Sequence, residues 1–281
     1  MARNSTGSDP EEAHMTVAII GAGVMGETLL SGLIRSGRPA AELLVGEKRP
    51  ERAAELREKY DVAVVGNDEA TRSADTVVLV VKPQDMADVL AEISPHLRPD
   101  QLVVSLAAGI TTAYLEARIP EGIAVVRVMP NTPALVDEGM AAISPGTHCD
   151  DGHLDAAEQL LAATGRVVRV PEKQQDAVTA ISGSGPAYLF FVVEAMIEAG
   201  VHLGLPRSTA SELVVQTVVG SAKLLRETGE HPTVLRERVT SPGGTTAAAV
   251  RQLENHKVRA AFITAMEAAR DRSAALAEGR D

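Results

Sequence analysis

The sequence is poor in the residues that nucleic-acid binding and disulfide formation require. Aromatic residues make up 2% of the 281 residues and tryptophan is absent, so there is little material for stacking on bases. The net charge is -11, which repels a phosphate backbone. The single cysteine, Cys149, excludes an intrachain disulfide and fits a reducing cytoplasm. We therefore expect a cytoplasmic protein with no nucleic-acid partner.

Long apolar runs are also missing from the sequence. We find none long enough to span a bilayer, and residues 1–14 are polar and acidic where a signal peptide would be basic and then apolar. We expect residues 1–14 to form a disordered tail and the protein to have no membrane partner. Hydrophobic residues still make up 45% of the chain, which at this length suits two domains.

Short apolar runs alternate with helical patterns over the first part of the chain. The predicted strands are 16–20, 42–45, 62–65, 74–81, 101–105, 123–128, 140–144 and 167–170. This alternation predicts an α/β domain over residues 15–171, with a doubly wound, mostly parallel sheet of the Rossmann type and its ligand at the carboxyl ends of the strands. The later patterns are helical only, which predicts an all-α domain over residues 172–281.

The first predicted strand runs directly into Gly21-Ala22-Gly23-Val24-Met25-Gly26, and a helix follows. In this setting Gly21 permits the tight turn, Gly23 lets the backbone approach a pyrophosphate, and Gly26 allows the helix to pack closely on the strand. The alternative is a glycine turn without a ligand. The strand before the motif and the helix after it favour dinucleotide binding.

The end of the second strand carries conflicting signals about the cofactor. Glu47 would bond a free 2'-hydroxyl of the adenosine ribose and favours NAD, whereas Lys48 and Arg49 suit the 2'-phosphate of NADP. We predict NADP(H) as the preferred cofactor and NAD(H) as the second choice. The alternative is a solvated helix start whose charges touch nothing.

Further strand ends are candidates for the same cofactor. Asn67 reads as a turn or N-cap but lies where a strand end could meet the cofactor, and Lys82 more often lines a cofactor edge or solvent than acts in catalysis. Asn131 could present its amide or backbone to the nicotinamide carboxamide, or its proline-rich loop could be a structural turn. The predicted cofactor-binding residues are Gly21, Gly23, Val24, Met25, Gly26, Lys48, Arg49, Asn67, Val81, Lys82, Pro83, Met129 and Asn131.

A second glycine-rich loop, Ser241-Pro242-Gly243-Gly244-Thr245-Thr246, leads into an alanine-rich helix. The free amides of Gly244, Thr245 and Thr246 predict a helix N-terminus, whose dipole attracts an anion such as a small carboxylate. The alternative is an ordinary loop in which Ser241 or Thr245 caps the helix.

The run His148-Cys149-Asp150-Asp151-Gly152-His153 mixes soft and hard metal ligands. Its spacing matches no standard zinc pattern, and Asp150 or Asp151 caps the next predicted helix naturally. We therefore expect no metal site.

The predicted helices of the second domain are apolar over most of their surface. One carries Leu189, Phe190, Val192, Val193, Met196 and Ile197, and the next carries Leu213, Val214, Val215, Val218 and Val219. A domain of this size cannot bury several such faces unaided. We predict a homodimer in which these helices interlock, the alternative being a compact monomeric bundle.

Several separated motifs occur together in one order. They are Gly21-Ala22-Gly23-Val24-Met25-Gly26, Val81-Lys82-Pro83-Gln84, Met129-Pro130-Asn131-Thr132-Pro133, Gly183-Ser184-Gly185-Pro186-Ala187-Tyr188 and Thr240-Ser241-Pro242-Gly243-Gly244-Thr245-Thr246. With them the chain resembles the pyrroline-5-carboxylate reductase family over about residues 15–275, and the last motif is that family's signature. The resemblance implies a Rossmann domain with a helical dimerisation domain, and a dimer that can assemble into larger rings. It also implies reduction of 1-pyrroline-5-carboxylate to L-proline with NAD(P)H, the last step of proline biosynthesis.

On this basis we expect Ser241, Gly243, Gly244, Thr245 and Thr246 to bind the substrate. Thr246, one of two threonines that match the family's position, is the expected catalytic residue, hydrogen-bonding the substrate nitrogen or relaying a proton to it. One alternative is another dehydrogenase, such as one of the 3-hydroxyacid type, but the helical half offers only the lysines Lys173, Lys223 and Lys257 for that chemistry. The other is a non-catalytic NADP(H)-binding protein, whose mark would be a damaged loop at 241–246.

Overall fold

The computed structural model describes residues 15–277 and 279, so the predicted tail at 1–14 lies outside the described residues. Its main feature is one eight-stranded sheet with the strand order β3-β2-β1-β4-β5-β6-β7-β8. The strands are β1 (Val17–Ile20), β2 (Leu43–Gly46), β3 (Ala63–Val65), β4 (Thr76–Leu79), β5 (Leu102–Ser105), β6 (Ala124–Met129), β7 (Gly139–Pro145) and β8 (Gly165–Arg169). Each predicted strand is present, and the doubly wound fold class is confirmed.

Helices follow most of the strands and fill the rest of the chain. They are α1 (Val24–Arg35), α2 (Pro50–Tyr60), α3 (Asn67–Ser73), α4 (Met86–Ile93), α5 (Thr112–Glu116), α6 (Asp151–Ala162), α7 (Gln175–Val178), α8 (Gly185–His202), α9 (Arg207–Thr228), α10 (Pro232–Arg238), α11 (Thr245–Asn255) and α12 (Val258–Ala277). A single π turn, Thr179–Gly183, separates α7 from α8.

The sheet is parallel except for one pair of strands. β6 and β7 are antiparallel, while β7 and β8 are again parallel. The segment between β6 and β7 is short and holds only the 3₁₀ turn Thr132–Val136. A parallel crossover needs a dozen or more residues, so this short connection forces the chain to reverse.

Both faces of the sheet are buried at its central strands. In β1, Val17 and Ile19 belong to one apolar cluster and Ala18 and Ile20 to the other, on the opposite face. Successive side chains of a strand point to opposite faces, so a strand covered on both sides reads as a continuous apolar run. That is the pattern by which these strands could be predicted.

The strand order also locates the ligand crevice. β1 lies between β2 and β4. From β1 the strands are added on one side as β2 and β3, and then on the other side as β4 and β5, so the strand order reverses beside β1. In open parallel sheets ligands bind outside the carboxyl ends of the strands at this switch point. The residues just after β1, β2 and β4 are Gly21, Glu47 and Val80.

The short helix α3 was not predicted from the sequence. Asn67 is the first residue of α3, with Gly66 at the N-cap, where the sequence indicated only a turn or an N-cap at residue 67. The helix has seven residues and carries only Ala70 as a buried apolar side chain. A segment this short shows no apolar periodicity, which is why the pattern did not reveal it.

The described chain divides into two compact units. The first holds residues up to Val178 together with those from Ala274 onward, and the second is Thr179–Ser273. In the second unit α8 packs on α9, with Ala210 and Val214 of α9 buried. None of the residues of α8, all of which are described, is buried. Large side chains such as Phe190 and Phe191 are 65% and 72% exposed.

The segment Glu172–His202 is long and apolar enough to cross a membrane by length and composition alone, with 6% of its most apolar stretch buried. From the sequence we expected no run long enough to span a bilayer, and by length and composition this segment departs from that expectation. The core helix of a soluble protein meets the same criterion. The segment is therefore apolar and largely uncovered in the single chain.

Candidate active site

The three glycines of the first loop lie in three different environments. Gly21 has a φ of +97°, and a Cβ there would stand 2.7 Å from the carbonyl oxygen of Val80. A Cβ on Gly26 would overlap the carbonyl oxygen of Gly21, so α1 packs against the turn at closest approach. Around Gly23 there is open space, with no atom within 4 Å of such a Cβ. Gly21 and Gly26 therefore shape the loop, and Gly23 leaves room for a ligand.

The N-terminus of α1 faces this open space. Gly23 is its N-cap residue and no side chain caps the helix. Val24 is exposed, Met25 is half-buried, and the first intrahelical bond shown is from Glu27 N to the carbonyl of Gly23, 2.9 Å. The amides before it have no intrahelical partner, and such a helix end suits a phosphate.

A clamp of charged residues holds the loop in place. Glu27 of α1 accepts hydrogen bonds from Lys59 (2.9 Å), from the Tyr60 hydroxyl (2.8 Å) and from Arg52. Arg52 also donates from Nε to the carbonyl of Ala22, 3.2 Å. The bond from Lys59, followed by those from Arg52 and Tyr60, lowers the pKa of Glu27 to about 2. The glycine loop is thus tied to α2 through an ionised carboxylate.

Replacing Glu27 with glutamine is expected to lower the free energy of unfolding at pH 7 by about 1–2 kcal/mol, since the clamp loses its charge and is partly exposed to solvent. The pKa of Glu27 in the folded state lies below its ordinary value of 4.5, so the stabilisation is complete above that pH and is lost as the pH falls towards about 2. Urea unfolding at one protein concentration should show the full difference at pH 7 and a smaller one at about pH 3.5.

Glu55→Gln is the matched control, because Glu55 is an exposed partner of the same Arg52 at 2.9 Å. This substitution is expected to change the free energy of unfolding by less than about 0.5 kcal/mol. An effect of Glu27→Gln that is the same at both pH values would contradict a role for the ionised carboxylate.

A cleft of about 320 Å³ opens beside the glycine loop, at the ends of β1, β2 and β4. Its lining includes Gly21, Glu47, Lys48, Asn67 and Val81. Lys48 is paired with Glu92 at 2.7 Å, and the same carboxylate accepts a 3.0 Å hydrogen bond from the Asn67 amide. The cleft therefore brings four predicted cofactor residues together, with Glu47 added to them.

The charges at the end of β2 form a local ion pair. Arg49 donates to the Glu47 carboxylate from Nε (3.0 Å), from Nη2 (2.9 Å) and from its backbone amide (2.9 Å). With the pair between Lys48 and Glu92, these contacts show that the alternative of a solvated helix start whose charges touch nothing is wrong.

Lys82 and Pro83 follow the end of β4. Lys82 is the N-cap residue of the 3₁₀ turn Pro83–Asp85, and it is exposed. No hydrogen bond or ion pair joins its ammonium group to any residue within 15–277 or 279. Its position suits a side chain at the edge of the cleft rather than a buried catalyst.

Met129 is the last residue of β6 and Asn131 lies two residues beyond it, and both are half-buried. The Asn131 side chain accepts a 2.8 Å hydrogen bond from the amide of Met140 at Oδ1. Asn131 thereby fastens its loop to β7. This contact favours the structural interpretation for that oxygen, while the cofactor role of Asn131 stays a prediction.

In the second unit, the loop before α11 presents backbone amides to solvent. Gly244 is the N-cap residue of α11, and neither Ser241 nor Thr245 caps the helix through its side chain. Gly243 has a φ of +71°, and the amide of Gly244 donates to the carbonyl of Ser241 at 3.0 Å. A Cβ on Gly244 would overlap Ser241 Oγ. The tight turn thus needs glycine and leaves the first amides of α11 without a side-chain partner.

The mixed run at 148–153 forms a helix start. The Asp150 carboxylate accepts from the amide of His153 at 2.9 Å, and the His153 ring accepts from the amide of Asp150. The predicted cap at Asp150 is confirmed. Burial raises the pKa of the Cys149 thiol, which donates to the carbonyl of Val125. Across the described ranges, no group of three or more histidine, cysteine or acidic side chains could hold a metal ion.

The fold and the cleft define a class: a dinucleotide-dependent oxidoreductase built on a Rossmann sheet with a helical second unit. Residues 16–109 match a family model described as NADP oxidoreductase, coenzyme F420-dependent. Residues 172–276 match the model of the pyrroline-5-carboxylate reductase dimerisation domain. A pyrroline-5-carboxylate reductase of Corynebacterium melassecola is 46% identical over 265 residues, covering 93% of this chain and 98% of the relative. The chain belongs to the pyrroline-5-carboxylate reductase family.

Solved structures agree with this assignment. The pyrroline-5-carboxylate reductase of Coxiella burnetii superposes with a TM-score of 0.89 at 37% identity, covering 92% of this chain and 97% of that one. A pyrroline carboxylate reductase of Plasmodium falciparum, solved with NADP bound, has a TM-score of 0.83 at 29% identity and covers 94% of this chain and 98% of its own. The recognised family is therefore confirmed, and the 3-hydroxyacid type of dehydrogenase is not supported.

Proposed function

We propose that this protein reduces 1-pyrroline-5-carboxylate to L-proline, the last step of proline biosynthesis. The observation that carries the proposal is the uncapped N-terminus of α11, which lies in the region matched by the reductase family model. A helix end with free amides and nearby hydroxyls suits a small carboxylate, which is the anionic group of this substrate. The relatives named as reductases of this substrate support the same reaction.

The division of labour follows the predicted domains. Residues 15–171 bind the cofactor, and residues 172–281 form the dimer and bind the substrate. Ser241, Gly243, Gly244 and Thr245 hold the carboxylate through backbone amides and the Ser241 hydroxyl. Thr246 hydrogen-bonds the substrate nitrogen or relays a proton to it.

The cofactor is NADP(H) in preference to NAD(H), and when bound it supplies the hydride. The open space at Gly23 and the free amides of α1 fit its pyrophosphate. Lys48 and Arg49 suit the 2'-phosphate, and the NADP-bound relative supports this choice. The other residues assigned to the cofactor are Gly21, Val24, Met25, Gly26, Asn67, Val81, Lys82, Pro83, Met129 and Asn131.

The test is an assay of cofactor oxidation by the purified protein with racemic pyrroline-5-carboxylate, followed by absorbance, with NADPH and NADH compared side by side. Rapid oxidation that yields proline is the expected result, faster with NADPH at low cofactor concentration. If both cofactors bind and neither is consumed, the loop at 241–246 serves another carboxylate or structure alone, and the proposal fails.

The protein is a homodimer that assembles into a larger homo-oligomer, and it is cytoplasmic. The exposed apolar residues of α8 and α9 support the dimer, because a second copy would cover them. The single cysteine suits the cytoplasm. Sedimentation velocity should give the mass of at least two chains, and a single-chain mass at micromolar concentration would contradict the interlocked dimer.

A further inference from the structure

The acid at the end of β2 is engaged by its own chain. The Glu47 side chain is only 7% exposed and accepts the three hydrogen bonds from Arg49. The backbone amide of Ala22, in the glycine loop, also helps to lower the pKa of this carboxylate. The side-chain bond from Arg49, followed by the backbone bonds, holds the pKa of Glu47 below its ordinary range. Glu47 is thus a nearly buried, ionised carboxylate with both of its oxygens engaged by Arg49.

Arg49 has the opposite character. Its side chain is 67% exposed, and no hydrogen bond from it to any described residue other than Glu47 is present. One edge of the guanidinium group, formed by Nε and Nη2, is held by the carboxylate. The planar fork is therefore fixed in one orientation, while Nη1 points away from the pair and stays available.

An acid at this strand end ordinarily accepts the ribose hydroxyls of NAD. The contacts of Glu47 point elsewhere. We infer that Glu47 is a positioning residue that holds Arg49 ready for the 2'-phosphate of NADP(H), and that it does not act as the ribose partner of NAD(H). The inference rests on the cofactor preference in the proposed function, and it deepens that preference by naming the residue that sets it.

The two roles predict opposite effects of Glu47→Gln on the affinity for NADP⁺. If Glu47 bound the ribose, Glu47→Gln would weaken NAD⁺ binding and, by removing a negative charge near the phosphate, would strengthen NADP⁺ binding. If Glu47 positions Arg49, the same change releases the guanidinium and weakens NADP⁺ binding. NAD⁺ lacks the phosphate, so its affinity would hardly change.

The experiment is calorimetric titration of the purified full-length protein with NADP⁺ and with NAD⁺, without substrate. The variants are Glu47→Gln, Arg49→Ala, the two combined, and Arg49→Lys. Glu51→Gln is the matched control, because Glu51 is an exposed acid at the start of α2 and, among the described residues, has no hydrogen bond or ion pair with Arg49. The titration measures cofactor binding and not turnover, so it tests this inference even if the protein does not catalyse the proposed reaction.

We expect Glu47→Gln to weaken NADP⁺ binding roughly 3- to 10-fold and Arg49→Ala to weaken it roughly 10- to 100-fold, with NAD⁺ affinity within about twofold of the wild type in both. Arg49→Lys should lose most of the same affinity although it keeps the charge, because an ammonium cannot make the paired contact. Adding Glu47→Gln to Arg49→Ala should cause no further loss, since the acid acts through the arginine.

Three results would overturn the inference. The first is tighter NADP⁺ binding by Glu47→Gln. The second is a loss of NAD⁺ affinity as large as that of NADP⁺ affinity, which would assign Glu47 to the ribose or to the fold. The third is a loss that is the same with and without Arg49. The Glu51→Gln protein should match the wild type for both cofactors, and an equal loss of NADP⁺ affinity there would show that the effect does not depend on the contact between Glu47 and Arg49.

Discussion

Gly26→Ala should raise the dissociation constant for NADP⁺ by more than about 100-fold. The added Cβ would overlap the carbonyl oxygen of Gly21, and it would stand 3.2 Å from the carbonyl carbon of Gly21 and 3.6 Å from Cγ2 of Ile19. Backbone atoms cannot swing aside as a flexible side chain can, so the turn between β1 and α1 has to move. Two or three misplaced amide bonds to the pyrophosphate amount to about 3 kcal/mol, or roughly 100-fold in affinity.

The same substitution is expected to lower the free energy of unfolding by about 2 kcal/mol, as overpacking does in a close-packed interior. Gly23→Ala is the matched control, because nothing lies within 4 Å of a Cβ at that position and the residue is exposed. Gly23→Ala should leave stability within about 0.5 kcal/mol and still weaken NADP⁺ binding roughly 10-fold, since the methyl group would meet the pyrophosphate. Thermal unfolding and cofactor titration on the three proteins separate the two effects. Equal loss of stability in both variants, or wild-type affinity in Gly26→Ala, would contradict these roles.

The parts of the fold that could be predicted are those with strong local patterns. The strands of a sheet covered on both faces are continuous apolar runs, so β1 and β4 are visible in sequence. α9 carries the apolar residues 213–219 that indicated a helix there, and it ends at Thr228 because Gly229, with a φ of +62°, terminates it. The short helix α3 has no such pattern and became visible only in three dimensions.

The candidate site was predictable where one residue type is needed for backbone reasons. Gly21 and Gly26 lie where a side chain would collide, so their spacing, with a predicted strand before it and a helix after it, indicated the loop. Partners brought together from distant parts of the chain gave no such signal. Lys48 meets Glu92 of α4, and Glu27 meets Lys59 of α2, through contacts that depend on how the helices pack. Composition showed that these charges exist, but only the fold decides which ones meet.

The pair of Glu47 and Arg49 was visible in the sequence, but the contact between the two residues was not predicted. Its members are two residues apart, and the sequence presented them as competing signals for NAD and NADP. In the structure they bind each other, because Glu47 is turned inward toward the amide of Ala22 while Arg49 begins α2 as its N-cap. An acid and an arginine that separately favour NAD and NADP can therefore form one ion pair. Considering each residue alone does not reveal this.

Thr246→Ala is expected to slow turnover roughly 10- to 100-fold, with a smaller change in the Michaelis constant for the imine. Threonines inside the helices of the same unit, such as Thr217, Thr228 and Thr264, donate their hydroxyls to the carbonyl four residues earlier. Thr246 is the second residue of α11, where no helical carbonyl precedes it. Among the described residues its hydroxyl has no hydrogen-bond partner, so it is available to the substrate nitrogen.

Thr246→Ser keeps a hydroxyl at this position and should recover turnover to within about threefold of the wild type. Thr245→Ala is the second arm, because Thr245 is the other threonine that matches the family's position and is the neighbouring residue in α11. Steady-state kinetics with saturating NADPH decides between them. If Thr245→Ala loses turnover and Thr246→Ala does not, the catalytic role belongs to Thr245. If both keep wild-type turnover, the backbone amides of α11 and the cofactor suffice, and the nitrogen takes its proton from water.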